Sequence, residues 1–204
     1  GAALAWLEGA AAMDGFFSIG IMRKEWLDGI NISGGDSAQA EQFLAVLRHL
    51  KKAAMKLVIE TNGKNAALLE QVLAEKLADK IVMNVLGPQA LYAELAGEAI
   101  AAEEIERTIA IVSRSQDYQF QTVVAPVMRS SGVAEYMTPA EIGETAKLIE
   151  QATGSKKQPY LIKVYSPDSA ARQTVTGLEP MTPNMLLPYR SAVRQYQVNV
   201  ELEK

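Results

Sequence analysis

Short β-branched runs alternate along this chain with segments whose apolar residues recur at helical spacing. That alternation constrains the fold more than any other feature. The strand candidates are Leu27–Ser33 (LDGINIS), Lys56–Thr61 (KLVIET), Lys80–Val85 (KIVMNV), Tyr118–Val124 (YQFQTVV) and Tyr160–Tyr165 (YLIKVY), with a weaker one at Gln197–Leu202. Between them lie helical patterns. Within Ser37–Ala53, residues Ala40, Phe43, Leu44, Leu47 and Leu50 form one apolar face; Asn65–Leu77, Ala99–Val112 and Pro139–Gln151 repeat the spacing. Thr138-Pro139-Ala140-Glu141 spells a capping box with proline at the first helical position. Asp36 or Ser37 can cap the helix after the first strand, and Asn65 the next one. Strands alternating with helices imply parallel βαβ units, hence an α/β fold, either a doubly wound sheet or all or part of a (β/α) barrel. The 204 residues suit one domain, 1–204.

Composition removes several chemistries. The chain has no cysteine and one histidine, His49. Thiolate metal sites, disulfides and cysteine nucleophiles are therefore excluded within these 204 residues. A serine–histidine–acid triad would have to use His49, which sits inside the helical run FLAVLRHLKK and reads as structural. The net charge of −4, with acids and bases interspersed, calls for neither nucleic acid nor an anionic membrane. No apolar run reaches the roughly 18–20 residues that span a bilayer. The opening GAALAWLEGAAAM carries Glu8 and lacks a basic start, a poor signal peptide, so the expected location is cytoplasmic. A first residue that is glycine rather than methionine suggests a tag scar, processing or a piece of a longer protein.

In both candidate architectures ligands bind at the carboxyl ends of the strands. The segments to read are therefore Ser33-Gly34-Gly35-Asp36, Glu60-Thr61-Asn62-Gly63, Asn84 to Pro88, Thr122 to Pro126, and Tyr165-Ser166-Pro167. Any one such turn needs glycine or proline for its geometry alone. The five together favour a pocket. Gly154-Ser155-Lys156-Lys157 follows a helix rather than opening one, and reads as a C-cap and turn rather than a phosphate loop. Lys51, Lys52 and Lys56 complement a helix C-terminus.

The strings WLDGINISGGD, KLVIETNGKN, DKIVMNVLGP and YQFQTVVAPV, in this order, resemble the radical S-adenosylmethionine proteins. Within that family they are most similar to the activating enzymes of glycyl-radical enzymes, including the activator of anaerobic ribonucleotide reductase. The likeness runs from about Trp26 to the C-terminus, where EPMTPNMLLPYRSAVRQYQVNVELE matches the family's closing helix and strand. The resemblance implies a partial (β/α) barrel. It also implies a CxxxCxxC loop after the family's first strand, holding a [4Fe-4S] cluster that cleaves S-adenosylmethionine to a radical. The family's Gly-Gly-Glu, which contacts the methionine amino group, falls on Gly34, Gly35 and Asp36, with Ser33 just before it. The third-strand segment lining the cofactor pocket falls on Glu60, Thr61 and Asn62. The fourth-strand Asp-x-Lys falls on Asn84 and Leu86, and the fifth-strand arginine on Gln121, with Thr122 beside it.

The departures are as informative as the matches. The first strand and its cysteines have no counterpart; residues 1–25 resemble the family's first helix, with Phe16–Met22 as an alternative substitute strand. Asp36 is one methylene shorter than the family's glutamate, and Asn84, Leu86 and Gln121 have each lost a charge. Truncation would remove the cysteines but would not neutralise other strands. The expectation is therefore a radical-SAM-like partial barrel without its own cluster site and without catalysis of its own. It would bind a protein partner or, weakly, S-adenosylmethionine. One alternative is a fragment or subunit of an active radical SAM activating enzyme whose cluster segment lies elsewhere. Another is a (β/α) enzyme that uses Asp36 and Glu60 as a carboxylate pair; against it, Asp36 would serve as a helix cap and Glu60 would pair with Lys64 or Lys163. A missing first strand would leave Leu27–Ser33 as a bare edge, and such an edge invites a homodimer or a partner chain.

Overall fold

A computed structural model of the chain describes residues 29–33, 40–166 and 178–203. The expected helix over residues 1–25, the alternative strand Phe16–Met22, the two tryptophans and the Gly34-Gly35-Asp36 turn lie outside the described residues.

Six strands form one sheet in which every neighbouring pair is parallel: β1 (Gly29–Ser33), β2 (Lys56–Thr61), β3 (Lys80–Asn84), β4 (Tyr118–Val124), β7 (Tyr160–Val164) and β8 (Val200–Leu202). A two-stranded antiparallel hairpin, β5 (Pro126–Met128) and β6 (Ala134–Tyr136), interrupts the connection after β4. The helices are α1 (Ala40–Lys52), α2 (Ala66–Ala74), α3 (Gln89–Ala96), α4 (Ala102–Val112), α5 (Pro139–Thr153) and α6 (Leu187–Val193). The sequence reading placed α1, α2, α4, α5 and all six sheet strands within a few residues, and α6 lies in the segment expected to hold a closing helix. It did not place α3 or the hairpin.

The order in the large sheet, β1-β2-β3-β4-β7-β8, never reverses. A doubly wound sheet reverses at its switch point; this one does not. Crossovers between parallel strands are right-handed, so a sheet that always steps the same way must carry its helices on one face. The burial pattern agrees. Leu57 and Ile59 of β2 pack with Phe43, Leu44, Leu47 and Leu50 of α1 and Leu68 and Val72 of α2. Ile81 and Met83 of β3, Phe120 and Val124 of β4, and Tyr160 and Ile162 of β7 join one core with Ile105 and Ile109 of α4 and Ile142 and Ile149 of α5. The register makes these strand residues lateral neighbours: Ile59 with Ile81, Met83 with Phe120, Phe120 with Tyr160. Among the described residues, β1 and β8 each have a single neighbouring strand.

The capping box at the start of α5 forms as its sequence predicts. Thr138 Oγ1 accepts from Glu141 N at 3.3 Å, and Glu141 Oε2 accepts from Thr138 N at 2.6 Å. The same carboxylate takes a forked contact from Arg129 on the hairpin, at 2.6 and 2.9 Å, so one side chain starts the helix and fastens the hairpin. The Arg129 guanidinium, followed by the Thr138 hydrogen bonds, holds the Glu141 carboxyl down at about 2. Gly154 ends α5 with φ 67°, the left-handed C-cap expected of it.

A carboxyl held low when folded and titrating normally when unfolded stabilises the fold above the ordinary carboxylate range. That stabilisation is lost as the pH falls toward 2. Its size is roughly 1–2 kcal/mol once screening is allowed for at a carboxylate 24% exposed. Urea melts between pH 7 and pH 2 should show this loss, and Glu141→Gln should flatten that part of the profile while lowering stability at pH 7.

Candidate functional site

Alternation along the strands turns one set of side chains toward the helices and the other set toward the opposite sheet face. On β2, β3 and β4 that opposite face carries Val58, Glu60, Val82, Asn84, Gln119, Gln121 and Val123, read from the register with Ile59, Ile81 and Phe120 on the helix side. Leu161, Lys163 and Glu201 continue it on β7 and β8. It is polar toward the carboxyl ends of the strands, and among the described residues the two apolar cores lie on the opposite side of the sheet. In register, Glu60 stands between Ser33 of β1 and Val82 of β3.

Asn84 and Gln121 pair directly across β3 and β4, and Gln121 Nε2 donates to Asn84 Oδ1 at 2.6 Å. Gln121 is only 9% exposed, so the bond satisfies an amide that would otherwise cost about 1–3 kcal/mol to bury. The pair leaves Asn84 Nδ2 as a donor and Gln121 Oε1 as an acceptor, the complementary edge a heterocycle or amide can engage. Farther along, Lys163 Nζ lies 3.8 Å from Glu203 Oε1, while Glu203 Oε2 accepts from Val164 N at 2.9 Å. The face therefore carries the Glu60 carboxylate, which has an interaction of its own, an amide pair and a lysine–glutamate pair.

The turn after β2 is fixed by residues far away in the chain. Asn62 O accepts from the Tyr92 hydroxyl at 2.8 Å, and Gly63 O from the Thr108 hydroxyl at 3.0 Å. Gly63 N donates to Thr61 Oγ1 and Lys64 N to Asn62 Oδ1, both at 3.3 Å. The expected Asn65 cap does not form: Asn65 takes a left-handed φ of 72° and its side chain makes no capping bond. Glu104 of α4 accepts from Ala66 N at 2.7 Å instead, so a tertiary carboxylate serves the start of α2. Burial pushes the Tyr92 phenol well above its ordinary value, keeping it a neutral donor.

The structure thus brings Glu60, Asn84 and Gln121 to one face, with Ser33 in register beside Glu60 and Asn62 in the adjoining turn. Thr61 and Thr122 go elsewhere. Thr61 is buried and accepts from the Gly63 amide. Thr122 is 1% exposed on the helix side, donating to Val85 O at 2.6 Å and meeting the Tyr160 hydroxyl at 2.7 Å. Leu86 packs against the main core. Lys64 meets Glu98 at 2.9 Å and Lys163 meets Glu203 at 3.8 Å, and Glu60 has an interaction of its own. Sequence reasoning did not find Tyr92, Glu104 or Thr108. It also missed Glu201 and Glu203, which the alternation in QVNVELE signals.

Among the described residues no group of three or more His, Asp or Glu is placed to hold a metal ion, and no helix is long and apolar enough to cross a membrane. No protein-family model matches the chain, and none of the curated proteins matches it.

Gly63 has φ 93°, and a Cβ there would meet Tyr92 Oη at 3.0 Å and Met83 Cε at 3.2 Å. Gly63→Ala should therefore cost about 2–3 kcal/mol, combining left-handed strain with the clash. Gly132→Ala, also left-handed but with nothing within 4 Å, should cost about 1 kcal/mol. Paired denaturant melts measure the difference.

Proposed function

We propose that the chain is a radical-SAM-like partial (β/α) barrel whose polar sheet face binds S-adenosylmethionine or a closely related adenosyl compound without performing radical chemistry of its own. The observation that carries this reading is the assembly of Glu60, Asn84 and Gln121 at the carboxyl ends of three adjacent strands, on the face away from the helices. The unreversed strand order supports a barrel-type winding rather than a doubly wound one.

The chemistry of these side chains suits such a ligand. The Asn84–Gln121 edge can pair with an adenine ring, and the Glu60 carboxylate can take ribose hydroxyls or offset the sulfonium and ammonium charges. The iron–sulfur cluster is a different matter. Its irons are held by thiolates, and this sequence contains no cysteine, so the residues present do not fit it. Binding without the cluster forgoes the iron that would chelate the methionine end, which makes weak affinity the expected regime.

Isothermal titration with S-adenosylmethionine to millimolar concentration should show saturable binding. Asn84→Ala and Gln121→Ala should each weaken it about five- to tenfold, the loss of one hydrogen bond to the ligand. Glu60→Gln should weaken S-adenosylmethionine more than the neutral thioether S-adenosylhomocysteine, and Asp36→Ala tests the Gly-Gly-Asp turn. Absence of heat at millimolar ligand, or variants that bind as the parent does, would refute the reading.

A further inference from the structure

The opposite ends of the strands hold a second set of groups that the polar face does not use. At the amino ends of β3, β4, β7 and β8 lies a cavity of about 600 Å³, bordered by Lys80, Gln119, Arg190, Arg194, Asn199 and Glu201. A second cavity of about 700 Å³ adjoins it, sharing Lys80 and Asp117 and adding Arg114 and Ser115.

Two observations set this region apart. The first concerns charge. Among the described residues, Arg48, Arg107 and Arg129 sit in ion pairs with glutamates. Arg114, Arg190 and Arg194 form no such pair with any described residue, and all three border these cavities. Asp117, also on the border, is engaged by Lys80 at 3.6 Å. The first cavity is thus bordered by the Arg190 and Arg194 guanidinium groups, one helical turn apart at the end of α6, by the Lys80–Asp117 pair and by one further carboxylate, Glu201.

The second observation concerns satisfaction. Nearly all buried polar atoms in folded proteins have a hydrogen-bond partner, and each exception calls for a reason. Among the described residues two buried side-chain polar atoms have none, Arg190 Nε and Ser115 Oγ. Each belongs to a residue that borders one of the two cavities. The Arg190 Nε–H is closed off from solvent without an acceptor, so among the described residues the guanidinium has neither a carboxylate partner nor a satisfied Nε, and a charge-assisted bond from its outer end to an oxyanion offsets part of that cost.

We propose that this amino-end cavity binds a small, multiply charged oxyanion, a phosphate- or carboxylate-bearing molecule, held between the guanidinium groups of Arg190 and Arg194. The volume is that of an ordinary small-molecule site. The two arginines outweigh Glu201, so the anion gains charge-assisted hydrogen bonds without displacing an existing ion pair.

The test is calorimetric titration of the full chain with sodium pyrophosphate and, separately, with sodium citrate, ionic strength being held constant with sodium chloride. At least one anion should bind saturably. Binding should fall tenfold or more in Arg190→Gln and in the exposed Arg194→Gln, and stay unchanged in Arg48→Gln, whose arginine lies in a surface pair with Glu75. Arg190→Lys, which keeps the charge but loses the fork, should fall in between. The more tightly bound anion identifies phosphate or carboxylate as the chemistry recognised. Saturation by neither anion, or equal binding by all variants, would overturn the proposal. These substitutions leave Glu60, Asn84 and Gln121 untouched, so the result is independent of the adenosyl-ligand reading.

Discussion

Parallel strands that always step in one direction must place their connecting helices on one face, and the rest of this molecule follows from that constraint. The strand side facing the helices becomes a continuous row of Leu57, Ile59, Ile81, Met83, Phe120, Val124, Tyr160 and Ile162, all buried. Each such side chain contributes about 1.5–3 kcal/mol on burial, which makes this row the main source of cohesion. The other face carries Glu60, Asn84, Gln121 and Lys163, and the Asn84–Gln121 bond keeps a buried amide there satisfied.

That division of labour needs rigid strand ends, and the structure supplies them through long-range polar contacts. The turn after β2 is gripped by Tyr92 from α3 and by Thr108 and Glu104 from α4, about 30 to 45 residues away in sequence. The left-handed Gly63 lets the backbone pass beneath the Tyr92 hydroxyl. At the other side of the sheet, Glu141 joins hairpin, capping box and α5 through a single carboxylate. Both devices spend a buried or half-buried polar group on geometry rather than on chemistry.

Much of the sheet was legible because its signal is local. YQFQTVV and KLVIET declare their alternation, and Thr138-Pro139-Ala140-Glu141 declares its cap; β2 and β4 span the residues expected. The same alternation, taken one step further, would have put Thr61 and Thr122 on the helix side and Glu60 and Gln121 on the other. Position just past a strand end was too coarse a criterion. Asn65 misled because a tertiary carboxylate, Glu104, overrode the local capping rule. The hairpin escaped because its strands are three residues each, and α3 because its eight residues carry a weak apolar stripe. Arg190 and Arg194 gave no sequence signal at all, since only the fold brings the end of α6 against the amino ends of β4 and β7.

The two sheet ends then have distinct chemistries: amides and a carboxylate at the carboxyl end, arginines at the amino end. The central claim is that the polar face away from the helices is the working surface. Its most direct test is a ¹H–¹⁵N NMR titration of the labelled chain with S-adenosylmethionine. The account predicts that the side-chain amides of Asn84 and Gln121 and the backbone amides around Glu60 and Lys163 shift together and saturate, while those along α4 and α5 stay in place. Shifts scattered over the helix faces, or none at millimolar ligand, would contradict it.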